Sequence, residues 1–366
     1  MEKYGWNMDH INKRQDYYEH LMETTIDEQE REKYESLFDM YSLLIMGKLF
    51  SEGIPGREKH SAIEKIREIQ ELPNVDKYSP EVLRIRNRII EKMHDIDTDL
   101  PYVQFSRSMN VSKLVNLIGE AIHDIFGDSA YNDYKKIAID TTDKIQIGNS
   151  ETEALMHCVK DGDVPDYYIL LPRISNIMMV NKLSHEAGHQ HRFAINDEEL
   201  LENHILGEYE SFSYEIRVLD YFIKNGIYKR EAVKAMIRII NMLDAFAGLL
   251  NELDMIESKT AEEFTRKARK KDIYRRLHIP NNEVLLDYLY TIKNGYMFPY
   301  VYSAMCVFDH MQTDVNLEKY NTIIHEIGKT PEMDLVRKIV DNPEDINNLN
   351  GYREYRKEIR KIYRGE

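Results

Sequence analysis

His185 and His189 stand four residues apart in the stretch NKLSHEAGHQHRF (181–193), with Glu186 between them. This spacing constrains the fold sharply, because it carries chemical meaning only on an α-helix. Four residues of helix turn about 400°, so both imidazoles share one face about 6 Å apart along the axis. Two ring nitrogens placed in this way can meet one Zn2+ at about 2.0–2.1 Å each. Glu186 is rotated about 100° from His185, beside a bound metal rather than on it, where a general base for an attacking water belongs. The plainer alternative is a helix carrying incidental histidines, of which the chain has 13. Gly188 counts against that alternative. Glycine inside a helix costs about 1 kcal/mol relative to alanine and usually has a packing reason.

Two histidines do not hold a catalytic zinc; a third protein ligand is needed, with a fourth position left open. The segment LGEYESFSYEIRVLDYF (206–222) begins 17 residues after His189 and offers Glu208, Glu210 and Glu215. The gap lets one helix end and a second turn back to cross it. Glu208, Ser211 and Glu215 follow i, i+3, i+7 and share a face, whereas Glu210 points elsewhere. Glu208 is therefore read as the third ligand and Glu215 as an acid that orients a ligand histidine. The competing reading of Glu215 is a solvated or structurally paired carboxylate. His191 lies off the ligand face, and neither it nor His204 is read as a ligand. Two other matches are decoys. HEIGK, beginning at His325, has Lys329 where the second histidine would stand. GKT at 328–330 would need glycine at 323, where Ile323 stands, so nucleotide binding is rejected.

The rest of the chain sets the context. Its 366 residues allow one large domain or two ordinary ones. With 42% hydrophobic and 31% charged residues, the composition is that of a soluble globular protein. A net charge of −15 argues against a nucleic-acid partner. The first residues, MEKYGWNMDHINKRQDYYEH, are charged and lack the apolar centre of a signal peptide. Apolar runs such as SLLIMG are too short to span a bilayer, so no membrane partner is expected. Cys158 and Cys306, the two cysteines, fit a reduced, cytoplasmic protein.

Periodicity predicts a mainly α chain. Helices are expected over Thr24 to about Phe50, Ser61–Leu72, Ser79–His94, 111–126 ending at Gly127, and Ala232–Leu253, with a charged helix from Arg353. SEGIPGRE and DTDLPYVQ read as breaks. One β-like run, DYYILLP (Asp166–Pro172), comes just before the HEAGH helix. Ser175 or Asn176 would cap that helix, and Ile174, Ile177, Met178 and Leu183 mark its buried stripe. The expected organisation is one compact α-rich unit, with residues 1–95 as a helical amino-terminal part and 96–366 as the catalytic domain.

HEAGH followed by EYESFSYE (208–215) resembles the gluzincin pattern of the oligoendopeptidase F and thimet oligopeptidase family, in a short form. There the third ligand is a glutamate in an ExxS segment, with a further glutamate seven positions on. Glu208, Ser211 and Glu215 match these places one for one. FGDSAYNDYKKIAID (126–140) and DYYILLP are similar to the segments leading into that family's site. GYMFPYVYSAM (295–305) resembles its tyrosine-rich segment, and HEIGKTPEMDLVRKIVDNPED (325–345) its carboxy-terminal element. The resemblance covers roughly residues 96–345.

It implies a zincin-like metallopeptidase with a small β element beside the HExxH helix, one Zn2+ per chain and peptide substrates. His185, His189 and Glu208 would hold the metal, and Glu186 would be the base. Tyr296, Tyr300 and Tyr302 would supply substrate-binding and oxyanion-stabilising hydroxyls, although with 25 tyrosines in the chain aromatic core packing competes for each. On a helix Tyr300 and Tyr302 diverge by about 200°, so one of them would matter most, and Tyr302 is favoured. Asn294 stands where family members carry a substrate-contacting histidine. That departure favours the rival reading, a zinc-containing relative that binds peptides without cutting them, whereas the intact Glu186 favours the enzyme. DYYILLP would take the substrate backbone as an added edge strand.

Overall fold

The computed structural model describes residues 4–52, 79–94, 96, 100–105, 107–148, 155–161, 165–172, 176–195, 204–254, 297–311, 317–339 and 348–366. In chain order the elements are α1 (Met8–Thr24), α2 (Glu28–Glu52), α3 (Pro80–His94), α4 (Val111–Phe126), α5 (Asp128–Ala138), β1 (Ile145–Ile147), β2 (Leu155–Val159) and β3 (Asp166–Leu171). They continue as α6 (Met178–Ile195), α7 (Tyr209–Lys224), α8 (Lys229–Asp254), α9 (Met297–Met311), α10 (Leu317–Glu326), α11 (Glu332–Ile339) and α12 (Asn350–Arg364). The protein is mainly helical, as the periodicity predicts. The helix expected at Ser61–Leu72 lies outside the described residues, as do Ser175 and Ile174. No helix among the described residues is long and apolar enough to cross a membrane, and neither cysteine forms a disulfide. The chain divides into two compact units, Met1–Glu71 with Ser106–Asp197, and Leu72–Phe105 with Glu198–Glu366.

The first unit is built on the sheet, whose strand order is β1-β3-β2. β3 runs parallel to β1, with Ile145 opposite Ile169, and antiparallel to β2, with Cys158 opposite Tyr167. Tyr167 to Leu171 are all buried, because a central strand is covered on both faces and reads as a continuous apolar run. Tyr168 and Leu170 join Trp6, Ile11, Leu37 and Leu44 in the core beneath α1 and α2. α6 packs on β2 and β3 and also against α4 and α5. One expectation is overturned here. β3 has a strand on each side, so its backbone donors and acceptors are taken by β1 and β2, and it offers no free edge to a substrate.

Partly buried Asp161, just after β2, ties this unit together by accepting hydrogen bonds from Arg14, Tyr18 and, at 2.6 Å, Tyr41. Burial pushes its carboxyl pKa up, but those three donors outweigh burial and hold it below the usual range. α4 starts where expected, with Asn110 Oδ1 accepting from the Lys113 N–H at 2.9 Å. It stops at Gly127, whose φ of 84° suits glycine.

In the second unit α7 packs against α8 and α9, α8 against α3 and α12, and α9 against α12. All of α7 from Tyr209 to Ile223 is buried apart from Tyr221. α12 presents Tyr352, Tyr355, Arg356 and Ile359 inward. There Asp244 accepts from Tyr352 and Arg356, and Asp220 accepts from Tyr355 at 2.9 Å.

Candidate metal centre

α6 begins at Met178, whose N–H donates to Asn176 Oδ1 at 2.9 Å, so Asn176 is the capping side chain. Ile177, Met178 and Leu183 are buried as expected, and 12 of the helix's 18 residues are buried, Gly188 included. Lys182, His185 and His189 are the partly exposed residues within its span from 178 to 192. Spaced three and four apart, they form one stripe. The two imidazoles lie edge to face with ring centroids 5.0 Å apart. Glu186 occupies the neighbouring side at 4% exposure.

Glu208 is the N-cap residue of α7, closing a turn that starts at His204. A carboxylate at a helix N-terminus is favoured by the unsatisfied N–H groups there. The Ser211 hydroxyl, one turn on, donates to Glu208 Oε2 at 2.8 Å or to its carbonyl oxygen at 2.9 Å. Ser211 thereby fixes one carboxylate oxygen. One ligand atom from each of His185, His189 and Glu208 lies within 4.8 Å of the other two. Ligands about 2.0–2.1 Å from a tetrahedral zinc stand about 3.3 Å apart. Two imidazoles and one carboxylate suit a borderline ion such as Zn2+ better than Mg2+ or Ca2+, which take oxygen ligands.

The remaining candidates fall elsewhere. Glu210 is buried and stands near Tyr320. Burial is the main reason the Tyr320 hydroxyl pKa is pushed far up, and the Glu210 charge adds to it. Glu215 is buried along α7 at 4% exposure. His191 is buried with Nδ1 3.3 Å from Asp133 Oδ2, joining α6 to α5. Burial raises the Asp133 carboxyl, but hydrogen bonds from His191 and Lys136 hold it below the usual range. His204 Nδ1 accepts from the Leu206 N–H at 3.1 Å and so belongs to the turn.

On α9, Tyr302 is 1% exposed with its ring 5.7 Å from Phe298, whereas Tyr300 is partly exposed and meets Phe212 edge-on at 5.9 Å. Phe212 is one turn beyond Glu208 on α7. Tyr296 and Asn294 lie outside the described residues. Sequence reasoning missed Ser303, whose hydroxyl donates to the Ile205 carbonyl at 3.1 Å, and Glu332, whose Oε1 accepts from the Ile205 N–H at 3.2 Å. No local pattern marks either of them.

No protein-family model matches the sequence, and no curated protein matches it. Solved structures match the fold. A candidate peptidase from Chlamydophila abortus superposes with a TM-score of 0.50 at 12% identity, over 91% of this chain and 64% of its own. A candidate oligoendopeptidase F from Bacillus anthracis str. Ames gives a TM-score of 0.50 at 11% identity, over 94% of this chain and 82% of its own. At such identities the likeness is one of fold. The chain spans a little under two thirds of the Chlamydophila protein's length.

Proposed function

We propose that the chain is a zinc metallopeptidase that hydrolyses peptide bonds in short peptides. The observation that carries this reading is the HEAGH pair on one helix stripe, with a ligand atom of Glu208 within 4.8 Å of both histidines. The fold it shares with two candidate peptidases supports it. His185 and His189 bind through ring nitrogens and Glu208 through a carboxylate oxygen, with Ser211 holding the other oxygen. Zn2+ bound there supplies Lewis acidity, lowering the pKa of a water toward about 7 and polarising the scissile carbonyl. Glu186 accepts a proton at its carboxylate as the water attacks, then passes it to the leaving amine nitrogen. Glu215 orients a ligand histidine. The Tyr300 hydroxyl donates to the oxyanion.

Metal analysis combined with a mixed peptide library read by mass spectrometry tests this. The parent is expected to carry about one zinc per chain and to cut. Glu186→Gln keeps the shape and loses the base, so it should retain zinc and lose about 10²–10⁴ in turnover. Glu208→Ala should lose most of the zinc. Full zinc in Glu208→Ala, with loss in Glu210→Ala, would reassign the third ligand. A parent that holds zinc and binds peptides without cutting them would be the non-cleaving relative.

A further inference from the structure

The turn that carries Glu208 is held by side chains distant in sequence. Both backbone groups of Ile205 are taken in this way: Ser303 on α9 donates to its carbonyl at 3.1 Å, and Glu332, the first residue of α11, accepts from its N–H at 3.2 Å. From Ile205 to Glu208 the chain has little freedom. The Leu206 N–H donates to His204 Nδ1 at 3.1 Å, the Gly207 N–H to the His204 carbonyl at 2.7 Å, and the Tyr209 N–H to the Leu206 carbonyl at 2.9 Å. A displacement of Ile205 therefore moves the Cα of Glu208.

Neither side chain is a good choice for packing alone. Ser303 is fully buried in an otherwise apolar stretch of α9, where a hydroxyl is favourable only if hydrogen-bonded. Glu332 is a partly buried acid. Burial pushes its carboxyl pKa up, and the Ile205 N–H offsets only part of that rise. An apolar pair would fill the space with less desolvation. What the polar pair adds is a fixed position for one backbone segment, three residues ahead of a proposed metal ligand.

We propose that Ser303 and Glu332 are positioning residues that set metal affinity by clamping the turn that presents Glu208. This rests on the metallopeptidase reading of the same site. The test measures the zinc dissociation constant of the full chain by competition with a chelator, alongside the melting temperature of the zinc-free protein. Ser303→Ala removes a single oxygen and is the variant expected to fold; Glu332→Ala removes the acceptor. Each should weaken zinc binding by about tenfold or more, the range seen when groups that orient ligands are removed.

Ser303→Thr and Glu332→Gln keep a donor and an acceptor, and should bind zinc within a few-fold of the parent. A clamp acts only through Glu208, so in a Glu208→Ala background Ser303→Ala should leave the residual affinity unchanged. If Ser303→Ala folds and binds zinc like the parent, or weakens binding equally without Glu208, the clamp is only structural and the inference falls. If Glu208→Ala itself binds zinc as tightly as the parent, the metal-centre reading fails first, and the inference with it.

Discussion

Tyr300 and Tyr302, two positions apart on α9, diverge by about 200°, so one helix cannot aim both hydroxyls at one reacting carbonyl. Tyr302 is 1% exposed, and burial pushes its hydroxyl pKa far up; Tyr300 is the partly exposed one. Tyr300→Phe should therefore lower turnover by about 10²–10³, with zinc content and melting temperature nearly unchanged. Tyr302→Phe should leave turnover within a few-fold. The reverse pattern would reassign the oxyanion donor. Glu332 gives a pH prediction. Its folded pKa is raised, so above the ordinary glutamate range the folded state binds more protons than the unfolded chain, and stability is lost as pH rises through that window. Glu332→Gln keeps the acceptor for Ile205 and removes the charge. It should be more stable than the parent at neutral pH, with the difference shrinking toward pH 4; urea unfolding across that range reads it. A difference that grows as pH falls would reverse the sign and sink the account. Individual residues were legible where the rule is local. The shared stripe of His185 and His189 follows from helix spacing, and the hydrogen bond from Ser211 to Glu208 from an i, i+3 step. Ser303 and Glu332 meet Ile205 across 98 and 127 positions, a distance over which a single sequence carries no pattern.

Elements were legible in proportion to how strongly one face is apolar. α4, with Leu114, Val115, Ile118, Ala121 and Ile122 buried, shows the period plainly and carries its own cap and stop. α1 escaped because only Ile11 and Tyr18 of its 17 residues are buried, too few for the 3.6-residue period to stand out. β1 has three residues, below the length at which alternation can be read, and β2, Leu-Met-His-Cys-Val, does not alternate apolar with polar. The unbroken apolar run in β3 did announce a strand, and a run without alternation is what burial on both faces produces; placing it at an edge ignored that signal. The contact between α9 and α12 depends on Gly351. A Cβ there would lie 2.5 Å from the Asp309 Cα and 2.7 Å from its nitrogen, both backbone atoms that cannot rotate away. Gly351→Ala gains helix propensity, yet it should destabilise by about 1–3 kcal/mol, as overpacking does. Denaturant unfolding checks this, and a more stable variant would show that the two helices separate at little cost.

At the scale of the whole molecule, the proposed metal binding would be linked to folding, because His185, His189 and Glu208 are not held near one another in the unfolded chain. If zinc binds only the folded state, free zinc at about 100 times its dissociation constant adds about 2.7 kcal/mol. An unfolding entropy of about 2.1 cal/mol/K per residue over 366 residues comes to about 0.77 kcal/mol/K. Stripping the metal with a chelator should then lower the melting temperature by about 3–4 °C if the chain unfolds in one transition. If only half the chain unfolds together with the site, the entropy halves and the same free energy moves that transition by about 7 °C. The size of the shift thus reports how much of the chain is cooperative with the metal centre, and calorimetry resolves the two cases by the enthalpy under each peak. The shift should grow with the logarithm of free zinc and vanish in Glu208→Ala. A parent whose melting temperature ignores both chelator and added zinc would show that these three side chains do not hold the ion in the folded state, whatever their separation.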